Sequence, residues 1–467
     1  MTLAAETAYL FRHALLRDAA YELQPPSVRA TLHAEAVQVF EGLFGPAAVA
    51  DSRQHHASDM LVGEIALHAA AAAAYGREGM SARRDACLKR AGVLADRQYR
   101  HDDSDRYWTL LLERTESDAD RVQALHRLGH LAMSRNRYGD GREFQQRALD
   151  AGERLAGADR EAMKRVLANA RVSLSYTHYW SGEIEEALKL AQQVADDAPD
   201  AGVRVVALRA LGTFQLRGGK PAQAVETLHK ALEALDESAH PSQRAEVLGT
   251  MALAELELGR IHESLAHFDE GIELAESVNF RRALANQTGN KAAALRALGR
   301  EHEAMEQMRR SMQLAKEIGD RVTEAQALGN LCNVRSALGD IDGVEEDYRH
   351  VVAVARETGL RRPISLWVGN LGMFLSRQGR REEAEQNLDA ALAIADEVGE
   401  PGLHGGWLCS YAVHFERYDE RESALRYWRA GVNVLHEAAP GVLGEVVAAM
   451  RGLCTERGVD FETVFGA

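Results

Sequence analysis

Along residues 321–360, Leu328, Leu331, Val334, Ala337 and Leu338 recur mostly at steps of three and four, and Val344, Tyr348, Val351, Val352 and Ala355 do so after a polar break. Such spacing gathers apolar side chains on one face of an α-helix, and it predicts two amphipathic helices joined by a tight turn. The same text returns every forty residues. Gly219, Gly259, Gly299, Gly339 and Gly379 form one series, and Gly319, Gly359 and Gly399 form a second one set between them. Glycine suits the residue just past a helix's last turn, where a left-handed backbone is often required. The chain therefore reads as helix, turn and helix of about 15 to 17 residues each, repeated.

No single hairpin of this kind can bury its apolar stripe, whereas stacked neighbours can, in one continuous core. Mid-way through each first helix stands a large residue followed by a small one: Leu211-Gly212, Met251-Ala252, Leu371-Gly372 and Tyr411-Ala412, with Leu331-Cys332 close to type. Early in the second helices come Ala224, Ser264, Ala304, Val344, Ala384 and Ala424, and four positions on Leu228, Phe268, Met308, Tyr348, Leu388 and Trp428. Ala231, Gly271, Ser311, Val351, Ala391 and Gly431 complete the unit. Small residues let two helices approach and the bulky one fills the gap to the next unit.

This pattern resembles the tetratricopeptide repeat. The resemblance implies an all-α fold, a right-handed superhelical solenoid of helical hairpins whose first helices line a concave groove. Lys291 in a large-residue slot, and Val344 and Val351 in small-residue slots, depart from the family norm. A forty-residue unit exceeds the commonest length in the family and implies longer helices and a deeper groove. Weaker copies upstream, around Ala91-Gly92, Leu128-Gly129 and Leu174-Ser175, extend the array to about nine units over residues 81–439. Residues 440–467 read as a capping helix and tail.

Residues 1–80 do not carry the register. Phe11-Arg12-His13-Ala14-Leu15-Leu16, Tyr21, Arg29 and Leu32-His33, with the later runs 64–69 and 87–92, resemble a junction in large bacterial signalling ATPases of the STAND type. There a winged-helix-like segment passes into a tetratricopeptide sensor array. No GxxxxGK[ST] loop occurs, and Gly218-Gly219-Lys220 is followed by Pro221, so no nucleotide binding is expected. The alternative reading of the same eighty residues is a helical cap.

Composition narrows the function. Lys and Arg number 55 against 70 Asp and Glu, a net charge of -15, which repels nucleic acid and anionic lipid. No stretch of about 18 apolar residues could span a membrane, and the start lacks a secretory signal. Cys87, Cys332, Cys409 and Cys454 lie far apart, as buried thiols of a reducing compartment would. A cytoplasmic protein is expected. His55-His56 and His68 do not make a metal site at this spacing, and no metal, cofactor or catalytic constellation stands out.

On the face that the resemblance assigns to the groove, one polar position repeats: Asn290, Asn330 and Asn370, flanked by Thr250 and Ser410. An Asn side chain donates and accepts, matching the two groups of a peptide unit. A ladder of them can clamp an extended backbone, as in kinesin light chain, to which this arrangement is similar. Asn286, Gln326, Asn333, Arg377 and Arg417 stand nearby as side-chain readers. Alternatively, the asparagines bond to neighbouring units and set the superhelical pitch. Each is preceded by a small residue, Gly249, Gly289, Gly329, Gly369 or Cys409, which suggests a close approach there. Trp367 and Trp407, one unit apart, read as packing between successive first helices or as aromatic platforms.

The expected function is binding of a protein or peptide in the groove, as a scaffold or sensor in signal transduction, without catalysis. The alternative is a structural one, a self-association module of a larger signalling ATPase, kinase or transcription regulator.

Overall fold

The computed structural model describes residues 21–49, 56–135, 137–235, 240–358, 361–438 and 440–466. Residues 11–16 of the junction-like motif, His55 and Gly359 lie outside them. Twenty-two α-helices and no strand occur among the described residues. They fall into two compact units, one of residues 1–131 and 147–163 and one of residues 132–146 and 164–467.

The first unit holds α1 (Pro26–Phe44), α2 (Val62–Ala73), α3 (Met80–Arg97) and α4 (His101–Arg114), with parts of α5 (Asp118–Ser134), α6 (Tyr138–Glu153) and α7 (Gly157–Trp180). Trp108 of α4 is fully buried, and its ring lies where a side chain at Gly92 of α3 would go, 2.5 Å from an ideal Cβ. That contact is the physical reason for the Ala91-Gly92 pair. Arg83 grips both carboxylate oxygens of Glu41, at 3.0 and 3.2 Å. His33 and His68, both in the junction-like stretch, meet Nδ1 to Nδ1 at 2.7 Å. His56 instead caps a short turn with Ser58 and Asp59. On α1, Val28, Leu32, Val39 and Leu43 remain exposed.

In the second unit the forty-residue pattern becomes alternating first and second helices. These are α8 (Ile184–Asp196), α9 (Ala201–Arg217), α10 (Pro221–Glu233), α11 (Pro241–Glu257), α12 (Ile261–Ser277), α13 (Arg281–Ala297), α14 (Glu301–Glu317) and α15 (Arg321–Ala337). They continue as α16 (Val344–Thr358), α17 (Arg361–Arg377), α18 (Arg381–Val398), α19 (Pro401–Arg417), α20 (Arg421–Ala438), α21 (Pro440–Arg457) and the short α22 (Phe461–Val464). The bulky residues of the second helices, Leu228, Phe268, Met308, Tyr348, Leu388 and Trp428, are all at most 2% exposed. The small residues four positions before them are fully buried. Where serine replaces alanine, its hydroxyl is satisfied: Ser264 donates to the Ala252 carbonyl and Ser311 to that of Ala285. Val344 and Val351 are buried in spite of their size. Lys291 is accommodated because its ammonium reaches Asp269.

Two residues of the expected apolar stripe lie outside the core. Leu338 is 53% exposed and Ala337 is also exposed, because both lie at the last turn of α15, beyond the reach of the next unit. The turn glycines behave as the spacing predicts: Gly219, Gly259, Gly299, Gly339 and Gly379 have φ of 71° to 80°. Asp419 takes the next place in that series at φ 62°, and Asn279 stands in the other series, with Gly319 and Gly399, at φ 52°.

The glycines inside the first helices have a different cause. An ideal Cβ on Gly329 would lie 2.4 Å from the ring of Trp367, and one on Gly369 would lie 2.3 Å from the ring of Trp407. At Gly249 the wedge is the Gln287 side chain, 3.0 Å away. Side chains of the following unit, rather than its backbone, make the close approach. Both tryptophans are thereby consumed in packing.

Candidate functional site

The first helices of the second unit carry one shared polar stripe. Positions separated by four, three and four residues fall on one helix face. On α13 these are Asn286, Asn290, Ala293 and Ala297; on α15, Gln326, Asn330, Asn333 and Ala337; on α17, Leu366, Asn370, Met373 and Arg377; on α19, Gly406, Ser410, Val413 and Arg417. The opposite faces bury leucine and valine against the second helices; on this stripe the Asn, Gln and Arg side chains keep access to water, while Leu366, Met373 and Val413 are packed.

Asn290, Asn330 and Asn370 are half-buried, and their amides form no hydrogen bond among the described residues. Gln326 is exposed and equally free. The flanking hydroxyls differ: Thr250 donates to the Glu246 carbonyl and Ser410 to the Gly406 carbonyl, each one turn back on its own helix. Asn286 accepts from the Thr323 hydroxyl of the next unit at 3.1 Å. Asn333 accepts from the Tyr348 hydroxyl at 2.6 Å. The stripe is thus divided. Thr250, Ser410, Asn286 and Asn333 are engaged within the protein, and the three ladder asparagines are not.

At the carboxyl ends of the last first-helices stand Arg377 and Arg417. Arg377 is exposed and donates to the Ser336 hydroxyl at 3.1 Å. The Arg417 guanidinium has no hydrogen bond or ion pair among the described residues, and its Nε is buried without an acceptor. Burial, then the neighbouring Arg377 charge, pulls its pKa below the ordinary guanidinium value.

Sequence reasoning missed a second set of charged residues. Arg362, at the start of α17, pairs with Glu400 at 2.7 Å. Burial opposes its charge, but Glu400, Tyr179 and Glu257 outweigh this and raise its pKa. Arg217 feels the opposite effect, its pKa lowered by the like charge of Arg362 and then by burial. Residues of α7, α9 and α11 therefore face the start of α17 and the turn before α19. The array curls until its early and late units meet, and α21 also touches α11. The forty-residue register does place Arg217, Arg377 and Arg417 in one column, but that column does not reveal a meeting across the curl.

Among the described residues, no group of three or more His, Cys, Asp or Glu side chains is arranged to hold a metal ion. No helix among them is long and apolar enough to cross a membrane. Burial pushes the Cys87, Cys332 and Cys409 thiols up to about 12, far from a reactive thiolate.

Residues 368–398 match the family model described as tetratricopeptide repeat. Comparison with curated proteins finds no match. Among solved structures, the chain is similar to a Rap protein complexed with competence and sporulation factor. Identity is 13%, with 76% of this chain and 99% of that one covered at a TM-score of 0.57. Also similar is a STAND protein with a tetratricopeptide repeat sensor from Pyrococcus horikoshii, at 12% identity, 94% and 70% coverage and a TM-score of 0.47. Likeness at this identity is a likeness of fold.

Proposed function

We propose that this tetratricopeptide-repeat protein binds an extended segment of another polypeptide along its first-helix stripe, as a non-catalytic scaffold or sensor in cytoplasmic signal transduction. The observation that carries the reading is the ladder of Asn290, Asn330 and Asn370, half-buried, in register and without partners. Their amide atoms still reach water, and a peptide backbone offers a donor and an acceptor that can take the water's place. Neutral amides read any backbone; Gln326 on the same stripe adds side-chain contacts. The fold similarity to a Rap protein complexed with competence and sporulation factor supports a ligand-binding role. A bound segment changes the curl only in so far as it binds one form more tightly than another.

The test is capture from host lysate by the parent chain and by an Asn290→Ala, Asn330→Ala, Asn370→Ala variant of matched melting temperature. Loss of a defined partner in the variant is expected, and equal capture by both would remove the ladder from the binding surface. A second reading is favoured by the exposed Val28, Leu32, Val39 and Leu43 stripe of α1: self-association. Light scattering across a concentration series separates the two, since only that reading requires a stable oligomer.

A further inference from the structure

We infer that Arg377 and Arg417 form an anion subsite at the late end of the stripe, and that the peptide held there presents a carboxylate to it. This rests on the groove reading for the ligand being a peptide, and it adds a charge requirement to it. The two guanidinium groups occupy equivalent places on successive first helices, two turns beyond Asn370 and Ser410 on the same face. Neither is neutralised. Arg377 meets only the Ser336 hydroxyl, and Arg417 meets no acceptor among the described residues while its Nε is buried.

The surroundings sharpen the point. Elsewhere in the second unit, arginines are typically paired: Arg335 with Asp340 and Asp347, Arg380 with Glu345 and Glu383, Arg381 with Glu385 and Glu420. Arg457, the next member of the column, bonds the Arg417 carbonyl and pairs with Asp419. Glu456 acts on Arg417 electrostatically but forms no ion pair with it. Arg377 and Arg417 are near enough for their charges to repel, and an oxyanion between them accepts from the Nη donors of each. A carboxylate fits the planar fork of either guanidinium. In a peptide it comes from an acidic side chain or from the chain end.

The experiment is an NMR titration of the full chain labelled with 15N-arginine, with the Arg417 Nε–H resonance assigned by its loss in Arg417→Lys. Three probes are used: N-acetylaspartate N-methylamide, N-acetylglycine, and neutral N-acetylasparagine N-methylamide. A saturable shift with at least one carboxylate and none with the asparagine probe is expected. Arg377→Gln, an exposed change, is expected to weaken that binding roughly tenfold. The tighter of the two carboxylates tells an acidic side chain from a chain terminus. Equal shifts with all three probes, or none with either carboxylate, would overturn the subsite. The outcome does not depend on the asparagine ladder. A chain that captures peptides without any carboxylate shift keeps the groove reading and loses only this one.

Discussion

The indole Nε1 of Trp407 donates to the Ser365 hydroxyl at 3.0 Å, and that hydroxyl donates on to the Ala391 carbonyl at 2.7 Å. Trp407 belongs to α19 and Ser365 to α17, so the bond ties one unit to the one before it. The same ring lies over Gly369, which fixes both its tilt and the spacing of the two helices.

Gly369→Ala is therefore expected to destabilise the second unit by about 1–2 kcal/mol, overpacking outweighing the helix-propensity gain of alanine. Gly452, inside α21 with nothing within 4 Å of an ideal Cβ, is the contrast. Gly452→Ala is expected to stabilise by about 0.5–1 kcal/mol. Urea unfolding of the two variants beside the parent checks both signs.

Asn279 occupies a left-handed turn position that Gly319 and Gly399 fill in later units, at φ 52°. Asn279→Gly is expected to raise stability by up to about 1 kcal/mol by relieving the side-chain clash of that conformation. The gain is set against the extra freedom of the unfolded chain. An unchanged or lower melting temperature would mean that the Asn279 bond to Arg281, 3.3 Å long, matters more than the backbone.

Glu416 has no exposed surface, and its carboxylate is held by Arg421 at 2.7 Å. Arg421→Ala leaves a buried carboxylate unpaired and is expected to cost about 1–3 kcal/mol. Adding Glu416→Gln is expected to return part of that loss. Additive single effects in the double-mutant cycle would show that the pair is not coupled.

His414 is fully buried, with one ring nitrogen 2.9 Å from the Ser376 hydroxyl and the other 3.3 Å from Glu385. Burial lowers its pKa, and Glu385 and the more distant Glu420 only partly oppose this, with Arg381 adding to the lowering. The folded state thus binds fewer protons here than the unfolded chain, whose imidazole titrates near 6.5. The stability contributed is complete above that value and is lost as pH falls. Thermal unfolding between pH 8 and pH 5 is expected to show a steeper loss for the parent than for His414→Gln.

The helical register was legible because two independent signals agreed, the three-and-four spacing of apolar residues and the forty-residue return of glycine. The ladder was legible for the same reason: Asn290, Asn330 and Asn370 share one place in that register. What was not legible depends on contacts between units. Gly329 and Gly369 look alike in sequence to Gly289, yet their partners, Trp367 and Trp407, lie one unit later. The exposure of Leu338 is set by where the next unit stops covering α15. The meeting of Arg217 with Arg362 depends on rotation accumulated over several units, which no local pattern encodes.

Gly289 differs from its three counterparts: no side chain of the following unit lies within 4 Å of its ideal Cβ, where only Ser311 of its own unit stands. The two joints along the ladder are therefore built differently. Asn290 and Asn330 stand on helices tied by the Asn286–Thr323 bond, whereas Asn330 and Asn370 stand on helices locked by the Trp367 ring over Gly329. A guest gripping all three asparagines spans one polar joint and one aromatic one.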